Sequence, residues 1–576
     1  MTNITFVTSL LHIYENEYEE YKTVPWRVER FKELVDLGIY LCVYISPEME
    51  DLIRPIEAAN PDTVKIMRIV ACEDTMIAKM LAEHCPDYKL PEYRNEGKDK
   101  SKYSIVINSK TEFMSDAVYQ NPWNTTHFAW IDFNITYVFS NKEYTYPFLQ
   151  WMSAQPYIQP DCFVIPGCWD KYDNENTFKI TNQVNWRFCG GFFLGDAHSI
   201  LRFHELYEEN FPKFLKEYGT LVWEVNFWAW LERNSDWNPR WYWGDHNDTI
   251  VCNIPVDVFA APLVDGTKVV YPYPQLSDPI YRPSSAAYLE TSDGRHLINT
   301  RYVNYLYHDE GYYQFFTNEA VIRNKNVISE LDPANQWQPV SYREMVETVG
   351  MEEHPHGSRG IEDIRLYEHG GKIKYIATTM GYHTTGGTRM IVGEYCVDRT
   401  YYENSRLVDS PENNHLEKNW VPLVVQNREN PFYGREIFVY KWSPLQIGEL
   451  CEVEGEANLR LQIVETIDTS TIPHFRKLKG STSFIQVDEY LVGVVHFTEE
   501  AKPRRYYHML VAFDPVSLRP VRYSDPFCFE KCSIEFCIGF RVYEGEYMFW
   551  ISRMDRDPAL IRIDMEKLPL CREAAL

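Results

Sequence analysis

A chain of 576 residues is too long for one ordinary hydrophobic core and divides into at least two domains. Its hydrophobic content of 45% is that of a globular protein, and its net charge of −26 argues against a nucleic-acid or anionic-membrane surface. No apolar run approaches the roughly 20 residues of a membrane span, and the N-terminus lacks the basic start and small-residue cleavage site of a signal peptide.

The 13 cysteines are an odd number and include no CxxC pair. Cys42, Cys189 and Cys537 stand in apolar surroundings, as buried free thiols do, so a reducing, cytoplasmic setting is expected. With 41 Tyr and 16 Trp, the chain is rich in flat apolar faces with a polar tip. Such faces suit sugars, and they equally suit large β-sheet cores.

From residue 1 to about 260, strands and helices alternate. TFVTSLL reads as a first core strand, and WRVERFKELVDL sets Trp26, Val28, Phe31, Leu34 and Val35 at helical spacing. IYLCVYIS is a strand, TMIAKMLAEHC a helix and HFAWIDF a strand, and SILRFHELYEENFPKFLKEYG is helical again. Alternation of this kind predicts a mainly parallel sheet flanked by helices. The stretch 261–279 carries four prolines and mixed polarity and reads as a linker. Beyond it, over 280–576, helical periodicity nearly vanishes. Short strands recur (KIKYIATTM, RMIVGEYCV, EIFVYKW, YYHMLVAFD, EYMFWISRM), separated by the turn signals SDG (292–294), HGGK (369–372) and EGEY (544–547). Roughly 40–60 residues per blade makes this length an all-β propeller of about five blades, with a double β-sandwich as the alternative.

In HFAWIDFNI (127–135) an acid, Asp132, sits among Trp130, Ile131, Phe133 and Ile135. Such a carboxylate is paired, bound to a metal, or at the exposed end of its strand. Ligands of open α/β sheets sit at the carboxyl ends of the strands, and Asp132 with Asn134 would place two oxygens there. Oxygen ligands suit a hard divalent cation, Mn²⁺ or Mg²⁺, carrying a diphosphate. In RWYWGDHNDT, Asp245, His246 and Asp248 are further candidates, and His246 would complete the metal shell; caps and polar loops are the plainer alternative. Gly190 and Gly191 break an apolar run, as they would if backbone had to approach a ligand or a tightly packed neighbour. LVWEVNFWAWLE (221–232) reads as a helix carrying Glu224 and Asn226. Glu224 is either a base that accepts from sugar hydroxyls or an acid favoured by the helix dipole.

In the second half, GSRGIEDIRLYEHGGKIKYIATT (357–379) sets Glu362, Asp363 and Arg365 beside Ile361, Ile364 and Leu366. Charges there are costly if buried unpaired. They form a structural Asp–Arg pair, or a proton donor beside a substrate-orienting arginine. Arg301, Arg365, Lys441, Lys479 and His496 are candidate holders of phosphate or of a sugar phosphate, with Glu362 in the same substrate site.

The set FMSDAVYQNPWNTTHFAWIDFNI, RFCGGFFLGD, WEVNFWAWL and GDH resembles the bacterial HtrL/YibB (WlaTC/HtrL) family, regarded as GT-A-type glycosyltransferases, over most of residues 3–252. The resemblance implies a GT-A-like (Rossmann-like) domain over 1–260, a nucleotide-sugar donor, and Asp132 in place of the family's Asp-x-Asp acid, with Asn134 where the second acid would stand. RPSSA (282–286), NTRYVNY (299–305), GIEDIRL and GSTSF…VVH resemble the five-bladed propellers of glycoside hydrolase family 130 and the related β-1,2-mannosyltransferases and mannoside phosphorylases. That family's Glu-Asp-Pro-Arg motif falls on Glu362, Asp363, Ile364 and Arg365. The resemblance thus implies Asp363 as the acid, in a loop where Ile364 replaces proline. Inverting chemistry needs an acid at the leaving oxygen and a nucleophile opposite.

Three functions follow as expectations. The first is a two-domain enzyme that transfers sugar to a glycan acceptor from one domain and makes or cleaves a second glycosidic bond, a mannoside as the resemblance implies, in the other. The second is a single-activity glycosyltransferase whose propeller only binds glycan. The third is an acidic scaffold that binds neither sugar nucleotide nor metal.

Overall fold

The computed structural model describes residues 3–14, 22–171, 176–260, 263, 266–354, 358–383, 387–412, 414–501, 503–531 and 533–574. Gly357 of the GSRGIEDIRL stretch, and 261, 262, 264 and 265 of the stretch read as a linker, lie outside them. The chain divides into two compact units, Met1–Phe259 and Ala260–Leu576.

The first unit holds a seven-stranded sheet: β1 (Ile4–Leu10), β2 (Tyr40–Ile45), β3 (Val64–Ile69), β4 (His127–Ile131), β5 (Phe163–Gly167), β6 (Phe192–Asp196) and β7 (Arg240–Trp243). The order is β3-β2-β1-β4-β6-β5-β7. All neighbours run parallel except β6, which is antiparallel to both β4 and β5. β1 is buried on both faces: Ile4 and Phe6 enter one core and Val7 the other, as the period of two requires. The helix Val24–Val35 starts where Thr23 accepts the Trp26 amide, with Pro25 in its first turn, and buries Val28, Phe31, Leu34 and Val35. Phe31 then stacks on Phe133 at 4.4 Å, just past β4.

The second unit is mostly β. The strands Arg282–Glu290, His296–Val303 and Asn324–Asp332 pair antiparallel. So do the four strands of Glu362–Asp409, and the four of Val421–Ile467, which join the preceding set through a short parallel pairing at Val408 and Leu459. Tyr490–Glu499 and Arg505–Phe513 centre the next sheet. Glu535–Tyr543, Glu546–Arg553 and Asp557–Asp564 form the last. Gly294 (φ +84°) and Gly545 (φ +80°) supply the left-handed backbone at two hairpins where SDG and EGEY signalled turns.

The stretch 261–279 departs from its reading as a linker. Thr267–Val269 is a strand paired antiparallel with Leu560–Arg562, and Tyr271 is buried against Trp550. Its described prolines, Pro272, Pro274 and Pro279, follow the strand rather than break it. No described helix is long and apolar enough to cross a membrane.

Candidate active sites

The sheet order reverses between β1 and β4, the point at which open α/β sheets leave a crevice at their carboxyl ends. A cavity of about 660 Å³ lies there. It is lined by Leu10 and Leu11 from the end of β1 and by Asp132 from just past β4. Asn134, Gly190, Gly191, Glu224 and His246 line it too, so six of the residues singled out in this half meet in one place, while Asn226, Asp245 and Asp248 do not line it.

Asp132 stands one residue beyond its strand with a side chain 44% exposed, and its amide donates to Gly191 O at 3.0 Å. Its Oδ1 accepts from Trp130 Nε1 (2.8 Å) and lies 3.2 Å from Lys110 Nζ. Among the described residues its Oδ2 has no hydrogen-bond partner. The acid among apolar neighbours is therefore paired on one oxygen and open on the other.

Lys110 is the residue of this cavity that sequence reasoning missed. It opens the helix Lys110–Gln120 and is 4% exposed, with Nζ 2.7 Å from Gly190 O and 2.8 Å from Glu224 Oε1. Burial alone would lower its pKa, but the Asp132 and Glu224 carboxylates outweigh it and hold the ammonium above its ordinary value. The signal was present: Lys110 stands in the buried run Val106, Ile107, Phe113, Met114 and Ala117, at core spacing.

Glu224, at the first turn of the helix Glu224–Asn234, is buried and tied to Lys110. Gly190 is glycine because a Cβ there would come within 2.2 Å of Glu224 Oε1, and a Cβ on Gly191 would lie 3.4 Å from Asp132 Oδ2. The close approach inferred for these glycines is made by the protein's own carboxylates. Asn226 instead holds structure, accepting from the Asn185 amide and donating to Ile180 O and Gln183 O. Asp248 accepts from the Ser140 and Asn141 amides and the Thr145 hydroxyl, and so holds the segment that enters the helix Lys142–Ser153. His246 is half-exposed, edge-on to Trp186, with Nδ1 3.0 Å from Asp245 Oδ1. Among the described residues its ligand nitrogen groups with the sulfurs of Cys168 and Cys189, a set that does not include Asp132.

In the second unit, Arg301 projects from the middle of His296–Val303. Its guanidinium meets Glu362 Oε2 at 3.3 Å, Asp363 Oδ1 at 3.1 Å and Asn324 Oδ1 at 2.8 Å. Lys418 adds a second cation on Glu362 at 2.9 Å. Burial pushes the Glu362 carboxyl up, but Lys418 and Arg301 prevail and hold it below the usual range. Asp363 has φ +56°, a left-handed backbone on a non-glycine residue at the irregular start of Glu362–His369. Asp555, which sequence reasoning missed, accepts from Tyr305 Oη at 3.3 Å. Burial raises its pKa, Arg301 opposes this, and Asp363 adds to it.

Arg365 is buried and donates to Ser481 O (2.7 Å), Gly480 O (3.2 Å), Asn419 Oδ1 (3.2 Å) and Asp363 O (3.1 Å). It fastens backbone segments rather than facing a ligand, and burial pushes its pKa down to about 10. The Ser481 hydroxyl pairs with His496 Nδ1 at 2.7 Å. Burial, with His508 and Lys479 adding, drives His496 well below its ordinary pKa, so it is neutral and not the cationic anion holder expected. Lys479 also titrates lower through burial and the nearby Arg504. Lys441 pairs with Glu412, and no described contact joins it to Arg301.

Residues 2–219 match the model of HtrL_YibB, a bacterial protein family of unknown function, in agreement with the resemblance of the first half. No curated protein matches the chain. Solved structures similar to about half of it include a mannose phosphorylase from Leishmania mexicana with phosphate ion (12% identity, 52% of this chain and 88% of that one, TM-score 0.32). A β-1,2-mannobiose phosphorylase from Listeria innocua is similar at 10% identity over 52% and 97%, TM-score 0.31. A glycosyl hydrolase from Bacteroides ovatus is similar at 10% identity over 51% and 87%, TM-score 0.33.

Proposed function

We propose that the first unit is a GT-A-type glycosyltransferase that moves a sugar from a nucleotide-sugar donor to a glycan acceptor. The observation that carries this reading is the convergence of Asp132, Asn134, Gly190, Gly191, Glu224 and His246 on one cavity at the switch point of the sheet. Its volume is in the range of small-molecule sites. In the transfer, the bond from the anomeric carbon to the diphosphate breaks, the acceptor oxygen bonds to that carbon, and the acceptor's proton leaves to a base. Glu224 is the base we assign, with Lys110 holding its carboxylate in place. A Mn²⁺ or Mg²⁺ ion on Asp132 Oδ2 and Asn134 would neutralise the diphosphate. The fit rests on that oxygen's lack of a hydrogen-bond partner among the described residues and on the exposure of the side chain.

For the second unit we propose a five-bladed propeller in which Asp363 acts as an acid on a glycosidic bond, beside Arg301, Glu362 and Lys418. Support comes from successive antiparallel sheets, the last completed by Thr267–Val269, and from the gathering of these charges. A second reading, a propeller that only binds glycan, has its own observation: Asp363 is 15% exposed and its Oδ1 is occupied by Arg301. A cytoplasmic setting belongs to the same proposal.

The test is nucleotide release from UDP-, GDP- and CMP-sugars with and without Mn²⁺, in the native chain, Asp132→Ala and Asp363→Ala. We expect one active donor, lost in Asp132→Ala and kept in Asp363→Ala. No release from any donor, or equal release from Asp132→Ala, overturns the transferase reading. Loss of glycoside turnover in Asp363→Ala with glycan binding retained separates a catalytic propeller from a binding one.

A further inference from the structure

Three segments of the first unit meet near the carboxyl ends of β5 and β7. β5 ends at Gly167 and is followed at once by Cys168. Cys189 immediately precedes Gly190 and Gly191. β7 ends at Trp243 and continues into Gly244, Asp245 and His246. The sulfurs of Cys168 and Cys189 lie 3.6 Å apart, and they and a ring nitrogen of His246 all fall within 4.8 Å of one another. Asp245 Oδ1 is 3.5 Å from Cys168 Sγ and 3.0 Å from His246 Nδ1.

The spacing is informative. A disulfide would bring the sulfurs to about 2.05 Å, and two unrelated thiols need not approach at all. Two thiolates on one tetrahedral zinc ion, each about 2.3 Å from the metal, stand about 3.7 Å apart. The observed separation matches two ligands on one ion; it is also that of a thiol–thiol contact, and both sulfurs donate to Gly244 O, at 3.5 Å from Cys168 and 3.3 Å from Cys189. Two sulfurs and an imidazole select a borderline cation such as Zn²⁺; Mn²⁺ and Mg²⁺ take oxygen.

We propose that Cys168, Cys189 and His246 bind one thiophilic divalent cation, Zn²⁺ in chemical class, with the Asp245 carboxylate beside them. His246 then belongs to this site and not to an ion on Asp132. Asp245 serves either as the fourth, oxygen ligand or as the carboxylate that orients the imidazole, the usual partner of a metal-bound histidine. On binding, each thiol gives its proton to solvent as its sulfur takes the metal, and nothing is oxidised or reduced. The ion fastens the Gly190–Gly191 segment to the turns after β5 and β7, and so fixes one wall of the cavity. The proposal stands independently of the transferase reading, because its readout is metal binding and not donor cleavage.

The test uses the full chain, reduced and stripped with chelator, then titrated with Co²⁺ as an optical probe. A tetrahedral thiolate site gives a sulfur-to-cobalt charge-transfer band that saturates at one Co²⁺ per chain, is displaced by Zn²⁺, and shields both thiols from alkylation. Cys168 is part-buried and His246 half-exposed, so Cys168→Ser and His246→Ala spare the core. Each is expected to weaken Co²⁺ binding at least tenfold with the melting transition of metal-free protein retained. Cys189 is fully buried, and Cys189→Ser is read only alongside that transition. Three results overturn the proposal: no charge-transfer band, a band of full strength and affinity in Cys168→Ser and His246→Ala, or a Cys168–Cys189 disulfide that forms with Zn²⁺ in excess.

Discussion

Lys110 occupies a core position of its helix and stays there because two carboxylates and a carbonyl surround its ammonium. Taking any of these charges out of water is costly, and the arrangement survives only while each has its partner. Lys110→Met fits the apolar spacing of the helix but strands Glu224, whose side chain is 8% exposed. We expect a loss of about 3–5 kcal/mol in denaturant unfolding of the first unit. Lys110→Met with Glu224→Gln removes both charges and should recover more than half of it. If the double variant is no better than the single one, the pair is not the source of the loss. This lysine was legible as a charge at helical core spacing, but its meaning was not. Glu224 lies 114 positions away in the chain, and nothing local in either segment announces the other.

At the scale of elements, the strands of the first unit were legible because β-branched and aromatic runs bounded by polar turns can form little else. The second unit's hairpins were legible from their glycines. What strands hide is which residues face each other across a sheet. His496 and His508 are register partners on Tyr490–Glu499 and Arg505–Phe513, and both are buried. Burial lowers His508 to about 3 and His496 well below its ordinary value, with His508, Lys479 and Arg365 adding to the latter. Unfolded, both would titrate near 6.5. The unfolded chain therefore binds more protons than the folded one between these limits, and stability rises with pH through that window. It is full above about 6.5 and is lost as pH falls toward the folded values. Each histidine contributes a slope of about 1.4 kcal/mol per pH unit. His508→Phe, placed beside Phe527 and Phe529, should lower the slope in denaturant unfolding of the second unit by about 1.4 kcal/mol per pH unit between pH 4 and 6, leaving the contributions of His496 and of the likewise buried His474. An unchanged slope would mean that His508 takes up no proton on unfolding.

At the scale of the whole molecule, the misread segment is the instructive one. Prolines and mixed polarity mark 261–279 as a connection, yet Thr267–Val269 completes the sheet whose other strands arrive nearly 300 positions later. A three-residue strand has too little pattern to be read, and only its partner, Leu560–Arg562, gives it meaning. Without it the edge of Asp557–Asp564 would present unpaired amides and carbonyls, and the Leu560, Trp550 and Tyr288 cluster would lose Val269. A chain of residues 260–576 should therefore unfold in one cooperative transition. A chain of residues 271–576 should lose about 2–4 kcal/mol through the missing ladder bonds and apolar contacts, and associate through its open edge. Calorimetry and size-exclusion chromatography of the two decide the matter. Equal melting temperatures and equal elution would make 261–270 a dispensable connection. A lower transition and early elution for the shorter chain would place the start of the second unit at or before Thr267, so that its last sheet depends on residues met at its beginning.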